Sequence, residues 1–137
     1  MDRLIEELKK QHEKLLEGFE GIFNDSAHSL SIEEVAKSLK DLLLDHIKTE
    51  DEQFYPVLYK AAKKDDYIRT MTDIFIQDFD KIYKQIQEYY DKYFSGRNYS
   101  KEEFITDSAK IMATLRNRIY EEENVLFPLY ERAKVLI

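Results

Sequence analysis

The chain has 137 residues, 43% of them hydrophobic, with only 3 Gly, 2 Pro and no Cys. That is enough for one domain over residues 1–137 with a buried, mostly helical core. The lack of Cys removes disulfides, thiolate metal sites and cysteine nucleophiles together and fits a reducing cytoplasm. A formal net charge of -7 argues against nucleic acid or anionic membranes as partners, since both reward clustered Lys and Arg.

The start, Met1 to Glu7, is charged and amphipathic, so neither a signal peptide nor a membrane span is read there, and a cytoplasmic location is the expectation. The first predicted helix runs from about Leu4 to Phe23, with Leu4, Leu8, His12, Leu15, Leu16, Phe19 and Phe23 on one stripe. A loop follows over Asn24, Asp25, Ser26, Ala27, His28 and Ser29, where His28 reads as solvated. Ser31 and Glu34 form a capping box that opens a second helix reaching to about Lys63. The third helix is capped by Asp65 or Asp66 and extends to about Phe94. Ser95-Gly96-Arg97-Asn98-Tyr99 closes it, and Ser100 with Glu103 opens a fourth helix that runs to about Val135. Pro56 and Pro128 stand late in the second and fourth helices, where each should kink its helix or leave a short final segment. Three short connections between four long amphipathic helices predict an all-α, up-down-up-down four-helix bundle.

The chain writes one line twice. His46-Ile47-Lys48-Thr49-Glu50-Asp51-Glu52-Gln53-Phe54-Tyr55-Pro56 returns as Arg118-Ile119-Tyr120-Glu121-Glu122-Glu123-Asn124-Val125-Leu126-Phe127-Pro128. Gln11-His12-Glu13-Lys14-Leu15-Leu16 matches Asp78-Phe79-Asp80-Lys81-Ile82-Tyr83 in the same way, so the bundle reads as a duplicated helical hairpin. Residues four apart share a helix face, which turns His46 with Glu50, and Arg118 with Glu122, toward the axis. His12 should then face Phe79, and the His46/Glu50 pair should face Arg118/Glu122. The other members of the two acidic runs read as solvated. Tyr83 and Tyr120 lie near the site positions, and Tyr89, Tyr90, Tyr93 and Phe94 either plug one end of the bundle or form a partner patch.

A histidine on the first helix, His-x-x-x-Glu before an aromatic-Pro on the second, and Glu-Glu-x-x-Leu-Phe-Pro on the fourth resemble the hemerythrin-like, HHE cation-binding domains over essentially the whole chain. The resemblance implies two irons inside the bundle, bridged by one carboxylate from the second helix and one from the fourth and otherwise held by histidines. Carried over by residue, His12, His46, Glu50 and Glu122 match ligands, with Glu123 as a one-residue alternative to Glu122. The third-helix histidine position is Phe79, a further one found in some members is Phe75, and the fourth-helix histidine position is Arg118. In that arrangement every terminal ligand of the second iron is lost.

Two inward carboxylates in a low-dielectric core repel unless a cation lies between them. A guanidinium stays charged and can grip a carboxylate through two parallel hydrogen bonds, so Arg118 is expected to replace the second iron's charge, while Phe79 fills the volume of a lost imidazole. The expectation is a half-site for one metal, iron by resemblance, although zinc or manganese would suit the same donors. Such a module would bind or sense a small diatomic ligand such as oxygen or nitric oxide. The alternatives are a metal-free bundle serving a protein partner or a homodimer, and an oxidation enzyme, which has the least support because no substrate pocket or second catalytic group is recognisable.

Overall fold

Ile5, Leu8, His12, Leu15 and Phe19 recur at three- and four-residue spacing along α1 (Arg3–Gly21), and all are buried. This is the inward stripe of an amphipathic helix, with Ile5 in it and Leu4 and Leu16 on its flanks. The computed structural model describes residues 2–21 and 32–137; Phe23, His28 with its loop, and the Ser31 cap lie outside the described residues. The further elements are α2 (Ile32–Thr49), α3 (Tyr55–Ala62), α4 (Asp66–Phe94), α5 (Lys101–Glu121) and α6 (Phe127–Leu136). Helices α2 and α3 form one rod and α5 and α6 another, so the architecture is an all-α four-helix bundle, with no strand among the described residues.

The joints in both long rods have the same cause. Pro56 and Pro128 have no N–H, and each ring crowds the carbonyl four residues back, so the α-helical ladder cannot continue through them. The chain responds with one π turn before each proline, over Glu50–Phe54 and Glu122–Leu126. The Tyr55 N–H bonds the Glu50 carbonyl, and the Phe127 N–H bonds the Glu122 carbonyl, five residues back in each case. The extra residue lets consecutive side chains face inward. Phe54 and Tyr55 are both buried, as are Leu126 and Phe127, and the short final segments α3 and α6 follow.

Asp65 caps α4 by accepting from the Ile68 N–H at 3.0 Å, and Ser100 caps α5 by accepting from the Glu103 N–H at 3.1 Å, each contributing about 1 kcal/mol. Between them, Gly96 follows the end of α4 at φ 83°, a left-handed conformation that side chains resist.

The apolar interior is split in two. One cluster holds Ile5, Leu8, Phe54, Leu58, Ile68, Leu126 and Phe127; the other holds Leu15, Phe19, Leu39, Ile86, Tyr89, Tyr90, Tyr93 and Phe104. The second cluster contains the late α4 aromatics, which plug that end of the bundle: the Tyr90 hydroxyl donates to the Ala36 carbonyl at 2.8 Å, and Tyr89 shares a hydrogen bond with Ser108. Fully burying a Leu or Phe contributes about 1.5–3 kcal/mol, so these two clusters carry the stability that tolerates a polar layer between them. That layer consists of His12, His46, Glu50, Arg118 and Glu122.

Candidate metal centre

His12 comes from the middle of α1, His46 from the last turn of α2, Glu50 and Glu122 from the first residue of each π turn, and Arg118 from the last turn of α5. All five are at most 5% exposed. His12 Nε2 lies 3.2 Å from His46 Nε2 and 3.0 Å from Glu122 Oε1, and His46 Nε2 lies 2.8 Å from Glu50 Oε1. His46 Nε2 is 3.9 Å from Glu122 Oε1, an electrostatic contact too long for a hydrogen bond. Among the described residues, His12, His46 and Glu122 each offer a ligand atom within 4.8 Å of the others. Glu50 joins them through His46.

The outer nitrogens decide what the inner ones offer. His12 Nδ1 donates to Glu123 Oε2 at 2.8 Å, and His46 Nδ1 donates to Gln11 Oε1 at 2.7 Å. Both partners are acceptors, so Nδ1 carries the proton in each neutral ring and Nε2 presents a lone pair. Two lone pairs and the Glu122 carboxylate oxygen therefore converge, with Glu50 against His46, the donor types and outer-shell support of a divalent metal site. Glu50 Oε2 is buried with no hydrogen-bond partner among the described residues, as expected for a ligand whose cation completes the site. The residues fit a metal.

Without one, protons take its place. Burial opposes charge on His46, but the adjacent carboxylates of Glu122 and Glu50 outweigh it and raise the imidazole to about 9. Burial and the facing charge of Glu122 push Glu50 up. Burial would also raise Glu122, yet the two histidines and Arg118 hold it well below the ordinary carboxylate range.

Arg118 donates from Nε to Glu122 Oε2 at 2.9 Å and from Nη2 to the Tyr55 hydroxyl at 3.4 Å; Nη1 has no partner among the described residues. Its carbon lies 4.9 Å from the Phe75 ring centre and 5.8 Å from that of Phe79, so both lost-histidine positions on α4 flank the guanidinium. The expected two-bond grip on a carboxylate is a single bond here, because Tyr55 takes the second nitrogen, and no hydrogen bond joins Arg118 to Glu50. Phe79 is only half-buried and stacks on Tyr83 with ring centres 5.9 Å apart.

Three participants went unrecognised in the sequence. Glu123, read as a solvated residue or a substitute ligand, holds His12 from outside; Gln11 does the same for His46; and Tyr55, rather than Tyr83 or Tyr120, meets the site. Tyr120 is 67% exposed. For Gln11 the one available signal was its position beside His12.

Beyond the polar layer lies a small cavity of about 30 Å³, walled by the site residues and by Leu15, Leu43, Phe79, Ile82, Leu115 and Ile119 among others. Among the described residues no helix is long and apolar enough to cross a membrane. No curated protein and no solved structure matches the chain. Residues 3–130 match the family described as the hemerythrin HHE cation binding domain, and with nearly the whole sequence inside that match the chain belongs to this family.

Proposed function

We propose that this chain is a metal-binding module holding one divalent iron in a half-site and serving to bind or sense a small ligand such as oxygen or nitric oxide. His12, His46, Glu50 and Glu122 would hold the metal, and Arg118 would supply the charge that a second metal gives elsewhere in the family. The observation that carries this reading is the meeting of two Nε2 lone pairs at 3.2 Å with carboxylate oxygens at 2.8 and 3.0 Å, each ring turned by its own outer acceptor. Lone pairs at that spacing repel unless a cation or a proton joins them. Bound there, iron would supply a Lewis-acidic, redox-active centre with room for a further ligand.

The chain's own residues then define what ligand suits the site. A cavity of about 30 Å³ exceeds the roughly 10–15 Å³ that one water needs, and its mostly aliphatic wall disfavours charged or strongly hydrogen-bonding guests. A neutral diatomic molecule meets both limits. The choice of iron over zinc or manganese rests on the family resemblance, since all three accept these donors.

One observation favours a second reading, a metal-free bundle kept as an interaction module. His46 with Glu50, His12 with Glu122, and Arg118 with Glu122 already pair among themselves. Thermal unfolding with and without ferrous iron, under anaerobic conditions, separates the two. The metal reading expects iron to raise the melting temperature and His46→Ala to abolish the rise; a melting temperature indifferent to iron supports the metal-free module.

A further inference from the structure

Ile82 and Arg118 each face two spaces. They wall the small cavity beside the ligand residues, and they also line a groove of about 890 Å³ on the surface between α4 and α5, together with Gln85, Ala113, Thr114 and Asn117. We propose that small neutral ligands reach the cavity through this groove, and that Ile82 is the partition whose movement sets the rate of passage. The inference rests on the reading of the site as one that takes a small ligand.

A second groove, of about 440 Å³ between α2 and α4, competes for this role because it shares Leu43 and Ile86 with the cavity. Packing decides against it. Leu43 and Ile86 are 5% and 4% exposed, and Tyr90 beside them is tied down by its bond to the Ala36 carbonyl and capped by the Lys40 ammonium 5.5 Å from its ring centre. Ile82 is partly exposed and has no polar tie. Of the two shared walls on the α4/α5 side, Arg118 is pinned by Glu122 and Tyr55 and flanked by Phe75 and Phe79. Ile82 is held only by apolar packing against the Leu15 and Ile86 cluster, with no ion pair or hydrogen bond to break when it shifts. The small side chains of Ala113 and Thr114 keep the groove open on its outer side.

The test is stopped-flow binding of nitric oxide to the ferrous-loaded protein. Ile82→Ala should raise the association and dissociation rates together by about tenfold, with their ratio changing far less. Asn117→Trp fills the groove from an exposed position without touching the cavity, and it should slow both rates. Gln87→Trp, exposed in the α2/α4 groove, should leave them unchanged. Slowing by Gln87→Trp but not by Asn117→Trp, or rates indifferent to Ile82→Ala, would overturn the proposal. A chain that takes up no iron would overturn the metal reading alone. Passage is then read in the metal-free protein from the relaxation that dissolved dioxygen induces in the Leu115 and Ile119 methyl groups: Asn117→Trp should weaken it and Gln87→Trp should not, and the opposite order overturns the route.

Discussion

His12 and His46 bring their Nε2 atoms to 3.2 Å of one another while their Nδ1 atoms are each engaged by a different acceptor, Glu123 and Gln11. In two neutral rings this leaves lone pair facing lone pair inside a buried layer. A single proton can relieve one such contact, but it cannot also satisfy both carboxylates. A divalent cation relieves all of them at once, and the proposed function follows from that difference.

The outer acceptors should therefore matter to metal affinity more than to folding. Glu123→Ala and Gln11→Ala are each expected to weaken binding of a divalent metal by about 10–100-fold, because the ring they orient is released to other tautomers and rotations. Competition titration against a chelator measures this. Helical content should stay unchanged by circular dichroism, since both side chains lie at the edge of the buried layer.

Arg118 is the test of charge replacement. Arg118→Ala leaves Glu122 without the guanidinium bonded at 2.9 Å, and breaking a buried pair typically costs about 3–5 kcal/mol. Urea unfolding of the metal-free protein should show a loss of that size. Arg118→Lys should restore little, because one ammonium cannot meet Glu122 and Tyr55 with the geometry of a planar fork. Phe79→His combined with Arg118→His supplies two donors on the vacated side, and this double variant is expected to bind additional metal. Unchanged stability in Arg118→Ala together with no extra metal in the double variant would contradict the surrogate role.

The metal-free protein should also lose stability as pH rises. The His46 imidazole is raised from its ordinary 6.5 to about 9, so the folded state binds a proton that the unfolded state has released within that window. Its contribution is fully present below about 6.5 and fades as pH passes 9, and it amounts to something on the order of 3 kcal/mol. Metal affinity should move the other way, rising across the same window because binding must displace that proton. Unfolding midpoints and metal titrations at pH 6 to 9, within the range of ordinary buffers, measure both slopes. His46→Ala should flatten the stability slope.

Much of this was legible in the sequence, for identifiable reasons. Capping at Asp65 and Ser100 and the breaks at Pro56 and Pro128 are local chemistry, so they could be read without a fold. The repeated line brought His46/Glu50 to face Arg118/Glu122, because duplicated hairpins put corresponding positions across the bundle axis. Gln11 lies on α1, away from the π turns, but the roles of Glu123 and Tyr55 escaped because of them. A regular helix turns by about 100° per residue, which swings Glu123 away from the face of Glu122 and leaves Phe54 and Tyr55 on different sides. The extra residue in each turn narrows that step and shifts the register, and Glu123 reaches His12 while Tyr55 meets Arg118. The single bond from Arg118 to Glu122 escaped for the same reason, since Tyr55 had not been placed beside it.

A half-site should hold one metal per chain where the family resemblance implies two. The most direct measurement is the iron-to-protein ratio of chain purified without a metal-affinity tag, reconstituted anaerobically with excess ferrous iron and desalted, with protein quantified by amino-acid analysis. A ratio near one is expected, falling to near zero in His46→Ala. A ratio near two, with the spectrum of an oxo-bridged pair after exposure to air, would contradict the half-site; a ratio near zero in the unaltered chain would contradict metal binding altogether.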